Sequence, residues 1–173
     1  MAFQSTVNTF LARGVVGEYS DDSPRRETGY ILLGQTSGDT VTVAPKIGCA
    51  FTLTDTDGEA VIGGKGVFAG VLVNPKAFVN QSGLNASLEV AHGAQGGLCT
   101  FGHINIKPAT AFAPGYVAAF NQSTGAINAY IKASNIPVGY TQIPGQFIEV
   151  SGAANDLAIL ELGTSALPTG LST

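Results

Sequence analysis

A chain of 173 residues holds one domain with a substantial core rather than two ordinary domains. Hydrophobic residues make up 45% of it and charged residues 12%, about half the roughly 25% usual for soluble domains, so much of the surface is uncharged and partners that cover it are expected. A net charge of -4 with eight scattered basic residues excludes the basic face a nucleic-acid binder needs, and no apolar run reaches the roughly 18 residues of a membrane helix.

In chain order, the opening "MAFQSTVNTF" lacks the basic and apolar regions of a signal peptide, which points to synthesis in a cytoplasm. Its alternation at Phe3, Ser5, Val7 and Thr9 suits an edge strand or an arm reaching beyond the domain. A glycine-punctuated passage then leads to Glu18, Asp21, Asp22, Arg25, Arg26 and Glu27, a concentration of charge found nowhere else in the chain. With Pro24 as a turn, these mixed signs suit first a solvated loop of self-satisfying pairs; they also suit a docking segment that fixes register on a partner. Residues 1–28 are therefore expected to form an N-terminal arm or docking segment, and residues 29–173 a single β domain.

Beyond residue 28 come short runs rich in Val, Ile, Thr, Phe and Tyr: "YILL", "TVTVA", "CAFTLT", "VFAGVLV", "SLEVAH", "CTFGHINI", "GYVAAF", "AINAYIKA", "QFIEVS" and "LAILEL". In "HINIK", Ile104 and Ile106 face one side, while His103, Asn105 and Lys107 face the other. Between the runs lie turns: Asp57-Gly58 in "TDTDGEA", Gly125 in "NQSTGAI", and the prolines of "ASNIPVG" and "TQIPGQ". No helical spacing persists over three turns. The spacing predicts an all-β sandwich or barrel, jelly-roll-like, with an extended N-terminal arm and little or no helix.

Signatures of chemistry are incomplete. His92, Cys99 and His103 are ligand types without the fourth ligand or the tight pairing of a structural zinc site, and read as strand-surface histidines beside a core thiol. "DTDGE" misses the spacing of a calcium loop and reads as a hairpin turn. "GGKG" lacks the spacing and helix of a phosphate loop and reads as a glycine-rich strand or bulge. No serine stands in a nucleophile elbow, and Asp21 and Asp22 are side by side rather than opposed across a cleft. No catalytic, cofactor-binding or metal residue is assigned, and no cofactor is expected. Cys49 in "IGCAF" and Cys99 in "LCTF" favour reduced core thiols over a disulfide.

Four stretches resemble, in order, the cement or head-decoration proteins of tailed bacteriophages: "AFQSTVNTFLARGVVGEYSDDSPRRETGYIL", "GCAFTLTDTDGEAVIGGKGVFAGVLVNPK", "APGYVAAFNQSTGAI" and "IPGQFIEVSGAANDLAILEL". The resemblance implies a non-enzymatic virion protein on the outer capsid surface, bridging major capsid proteins of the HK97-like fold and self-associating as a homodimer or homotrimer. In that setting Phe3, Asp21, Asp22, Arg25, Arg26 and Tyr30 are the expected capsid or partner contacts. The alternative is a β-sandwich receptor- or carbohydrate-binding module of a virion or tail, against which the absence of Trp counts mildly.

Overall fold

The computed structural model describes residues 14–74, 88–148 and 151–163. Among these, eleven strands and a single 3-10 turn, Ala133–Asn135, make up the regular structure. The strands are β1 (Arg26–Leu33), β2 (Gln35–Ser37), β3 (Thr40–Val43), β4 (Ala50–Leu53), β5 (Glu59–Ile62) and β6 (Phe68–Leu72), followed by β7 (Ala94–Ile106), β8 (Val117–Asn121), β9 (Ile127–Tyr130), β10 (Tyr140–Phe147) and β11 (Ala158–Leu162).

Nine strands form one sheet in the order β1-β5-β4-β6-β7-β11-β10-β8-β9, and β1 pairs again with β7. The first five strands therefore close into a barrel, with β1 parallel to β5 (Ile31 opposite Glu59) and antiparallel to β7 (Thr28 opposite Leu98). The remaining strands continue from the second half of β7, where Ala158 to Leu162 of β11 pair with Ile106 to Gly102. β2 and β3 form a separate hairpin.

β7 is the wall common to both halves, and its 13 residues supply the length. At the handover Gly102 has φ +116, and a Cβ there would come within 3.1 Å of Arg25 Cβ and 3.3 Å of the Pro24 carbonyl, so glycine permits both the backbone turn and the close approach.

Burial on both faces explains why β4 and β6 read as almost continuous apolar runs, and why Leu98 and Cys99 of β7 are both buried although adjacent. Phe51, Leu72 and Leu98 point into the barrel with Leu32, Ala60 and Ile62. Their neighbours Ala50, Val71 and Cys99 point the other way, into a cluster with Ile104, Ile106, Phe112, Phe120, Phe147 and Leu160. A strand buried on both faces has no polar side to show. Phe112 stacks on Phe147 with centroids 5.8 Å apart, and each of these fully buried rings contributes about 1.5–3 kcal/mol by leaving water.

The far edge of the sheet is plugged. Thr110 Oγ1 donates to the Ala129 carbonyl at 3.1 Å and accepts from the Ala129 amide at 2.8 Å, and the Ala109 amide donates to Asn128 Oδ1 at 3.1 Å. These bonds occupy β9 groups that would otherwise await another strand.

Most predicted strands are present. β2 ("QTS") and β5 ("EAVI") were not expected, because three- and four-residue strands beside glycine and threonine show little alternation. Within the described residues of "SLEVAH", pairing is limited to a bridge between Glu89 and Lys46. "TQIPGQ", expected as a turn, lies inside β10: the register with β8 shifts between Gln142 and Gln146, so Pro144 sits in a bulge where no ladder donor is required. The turns at Asp57-Gly58 and Gly125 do join antiparallel partners, β4 to β5 and β8 to β9.

Residue 28, the expected end of the arm, falls within β1, and residues 14–25 run along β7 as a strap. The Gly17 amide donates to the Asn105 carbonyl (2.7 Å), the Asn105 amide to the Glu18 carbonyl (2.8 Å) and the Ser20 amide to the His103 carbonyl (3.1 Å). The Asn74 amide adds a bond to the Gly17 carbonyl at 2.8 Å. Charged, exposed residues on this strand hide its pairing from a hydrophobic-pattern reading. Residues 1–13, Phe3 among them, lie outside the described residues.

Candidate docking site

The charge cluster of the sequence becomes a face built on β7. Tyr19 forms a bridge with Ile104, which points the next residues back across the strand. Asp21 Oδ2 then lies 2.6 Å from His103 Nδ1, and Asp21 Oδ1 accepts from the Ser23 amide (3.0 Å) and the Ser23 hydroxyl. Glu161 Oε1 of β11 stands 3.7 Å from the other imidazole nitrogen, and Glu161 Oε2 accepts from Gln146 Nε2 at 3.2 Å. A histidine between two carboxylates favours its protonated form. The Asp21 hydrogen bond is the main cause raising the His103 pKa, and the reciprocal bond, helped by Ser23, lowers Asp21 from 3.8 to about 2.

Tyr19 is the second anchor. Its hydroxyl donates to Glu27 Oε2 at 2.9 Å, and its ring carries the Arg25 guanidinium at 4.3 Å from the centroid. Burial, with the charges of Cys99 and Glu27, raises the phenol pKa so that it stays a donor. Glu27 lies over Gly97, where any Cβ would overlap its carboxylate, so that glycine makes room for the tie. Arg26 Nε donates to Thr100 Oγ1 at 3.0 Å.

Between the strap and the end of β6 is a cleft of about 690 Å³, lined by Glu18, Asp21, Asp22, Arg25 and Glu27 around Tyr19, Ser20, Val73 and Asn74. Acids outnumber bases there. Ser20 Oγ, buried and without a hydrogen-bond partner among the described residues, lines the same cleft.

Of the expected contact residues, Asp21, Asp22 and Arg25 meet at this cleft, and Arg26 lies beside it on β1. Tyr30 stands apart, half-buried against the barrel core. Tyr19, His103 and Glu161 were missed because their partners are far off in sequence; the alternation of "HINIK" did place His103 outward. The metal-like trio does not converge. His92 Nδ1 accepts from the Gly34 amide at 3.0 Å, Cys99 is buried with Sγ 3.3 Å from the Phe101 carbonyl, and His103 serves the strap. Among the described residues no group of three or more His, Cys, Asp or Glu is placed to hold a metal. Both thiols are free, and burial raises their pKa values, Cys49 to about 11.

The fold is all-β, a barrel whose sheet continues beyond the shared strand β7, with mixed charge pinned along that strand. Residues 3–163 match the phage cement family, structural cement protein (E217 gp24/Pam3 gp6), and the chain belongs to that family. Its role is that of a capsid cement or decoration protein, associated with capsid proteins in the virion. A chain in the solved structure of the capsid of Myoviridae Phage XM1 shares the fold, with a TM-score of 0.62 at 15% identity over 95% of this chain and 99% of that one. Among curated proteins, none matches.

Proposed function

We propose that this cement protein, made in the bacterial host cytoplasm, decorates the outer surface of the head without catalytic activity or direct nucleic-acid contact. Its capsid partner is a major capsid protein of the HK97-like fold, and it also associates with copies of itself as a dimer or trimer. The strap face makes the capsid contact, through Asp21, Asp22, Arg25 and Arg26, with Phe3 and the rest of residues 1–13 extending that contact and Tyr30 of β1 a separate contact point.

The observation that carries this is the fixed geometry of the face. Asp21 is held by His103 and Ser23, and Arg25 is laid on Tyr19, so charged groups are positioned before a partner arrives. Preorganised charge loses less conformational freedom on binding and sets register. A basic side chain entering the cleft would meet an excess of carboxylates and the Ser20 hydroxyl.

The test is occupancy on expanded capsids stripped of cement. Charge reversal at both positions, Arg25→Glu with Arg26→Glu, is expected to lower occupancy, most at low salt where screening is weakest. Deletion of residues 2–13 is expected to lower it further while leaving the thermal transition in place. Unchanged occupancy of both variants at every salt concentration refutes the strap-face assignment.

A further inference from the structure

The loop between β4 and β5 carries two groups that can react with each other. Asp57-Gly58 is the one place in the sequence where Asp or Asn precedes glycine, and both residues are exposed. The loop holds a β-turn closed by the Glu59 amide on the Thr56 carbonyl at 3.3 Å, with Gly58 at its third position and φ +81. A turn of this kind offers no internal acceptor to the amide of its third residue. Among the described residues the Gly58 amide has no hydrogen-bond partner, and the Asp57 carboxylate has neither a hydrogen bond nor an ion pair. A Cβ added at Gly58 would meet nothing within 4 Å, so its nitrogen is approached through open space.

At comparable positions one of the two groups is committed. The amides that follow Asp22, Asp55, Asn121, Asn135 and Asn155 donate to Asp21 Oδ1, Thr54 Oγ1 and the carbonyls of Gly139, Ala133 and Ala153. The Asp21 carboxylate is itself taken by His103 and Ser23. Asp39 precedes Thr40, whose branched Cβ crowds its own amide. At Asp57 the electrophilic carbon and the nucleophilic nitrogen are neighbours in the chain, and joining them closes a five-membered ring.

We propose that Asp57 is a site of spontaneous covalent modification, where aspartate converts to isoaspartate through a succinimide shared with Gly58. The Gly58 nitrogen bonds to Asp57 Cγ and gives up its proton, while the Cγ–OH bond of the protonated carboxyl breaks, so that hydroxyl and proton leave as water. Water then opens the cyclic imide. Addition at Cγ restores aspartate, whereas addition at the Asp57 main-chain carbonyl carbon leaves Gly58 bonded to Cγ and frees the α-carboxylate. Nothing is oxidised or reduced, and the water taken up equals the water released. The product matters because of what the turn holds: the Gly58 carbonyl accepts the Ile31 amide at 2.8 Å, and Ile31 stands opposite Glu59 where the parallel β1–β5 pair closes the barrel. Isoaspartate routes the main chain through Cβ, adds one atom to a closed turn and displaces that carbonyl. A protein already built into a virion is not replaced, so the change accumulates with the age of the particle.

The test is ageing of the purified full chain in warm neutral buffer, followed by trypsin digestion and labelling with protein isoaspartyl methyltransferase. Label is expected in the peptide 47–65, growing with time at unchanged peptide mass, and ageing in heavy-oxygen water should leave one heavy oxygen in it. Asp57→Glu keeps the charge in an exposed turn but needs a six-membered ring, and is expected to take about tenfold less label. In the isoaspartate-containing fraction the Ile31 amide should exchange with deuterium about fivefold faster, the effect of losing one hydrogen bond, while the Ala129 amide, held by Thr110, keeps its rate. No label in 47–65, equal label in Asp57→Glu, or more label in the peptide carrying Asp22 overturns the site. Label without heavy oxygen overturns the succinimide route, and label with Ile31 exchange unaltered overturns the link to barrel closure.

Discussion

Gly17→Ala probes the strap at its tightest point. Gly17 has φ +79, which costs a residue with a Cβ about 1–2 kcal/mol. A Cβ there would also overlap Ile47 Cγ2 and lie 2.9 Å from the Asn74 amide, and crowding of this kind costs about 1–3 kcal/mol more. Gly115→Ala is the matched control, since Gly115 has φ +82 with nothing within 4 Å of an added Cβ. Urea titration should show a loss of about 1–2 kcal/mol for Gly115→Ala and about 2–5 kcal/mol for Gly17→Ala, with about 2–4 °C of Tm for each kcal/mol in a domain of this size. Should the strap leave before the barrel melts, the loss is capped at its own docking energy. Hydrogen exchange then reports it, because the amides of Asn74 and Asn105 donate to the Gly17 and Glu18 carbonyls. Equal losses in the two variants, with both amides still protected in Gly17→Ala, would refute the strap as an independently docked element.

Two further outcomes follow from the site and the sheet edge. The folded-state pKa of His103 is raised above 6.5, so its stabilising contribution is complete below about that pH and is lost as pH rises through the folded value; that of Asp21, lowered from 3.8 to about 2, is lost only as pH falls through about 2. The stability difference between wild type and His103→Gln should therefore be largest between about pH 4 and 6.5 and shrink by pH 9, and a difference that grows toward pH 9 contradicts the pairing. Thr110→Val leaves the amide of buried Ala129 without its acceptor, which should cost about 1–3 kcal/mol and promote aggregation through β9, while Thr110→Ser preserves both; equal stability of the two variants excludes the plug.

The all-β class was legible because strand periodicity and glycine-rich turns leave a strong local mark. The two-faced burial of β4 and β6 was legible only as apolar runs, since "VFAGVLV" does not say which residue serves which core. Ring closure by a parallel β1–β5 pair left no trace, because register between distant strands is decided by packing rather than by local propensity. At the site, the cluster from Glu18 to Glu27 was visible as charge. Its attachment was not: His103 lies 82 residues from Asp21, and Thr100 lies 74 from Arg26. Glycines that enable those contacts, such as Gly97 beneath Glu27, look in the sequence like any other turn residue.

A wall shared by two cores also orders events in time. β7 closes the barrel with β1, which the ribosome has released long before, and then waits for β11, nearly at the end of the described chain, to cover its second half. Until residue 162 emerges, one edge from Gly102 to Ile106 lacks its partner. Such sequence-distant closure makes folding slow compared with helical proteins of equal size and concentrates its aggregation risk in that interval. Once β11 is in place, neither half can loosen without stripping an edge from the other, and a capsid cement protein gains a body that yields as one unit or not at all.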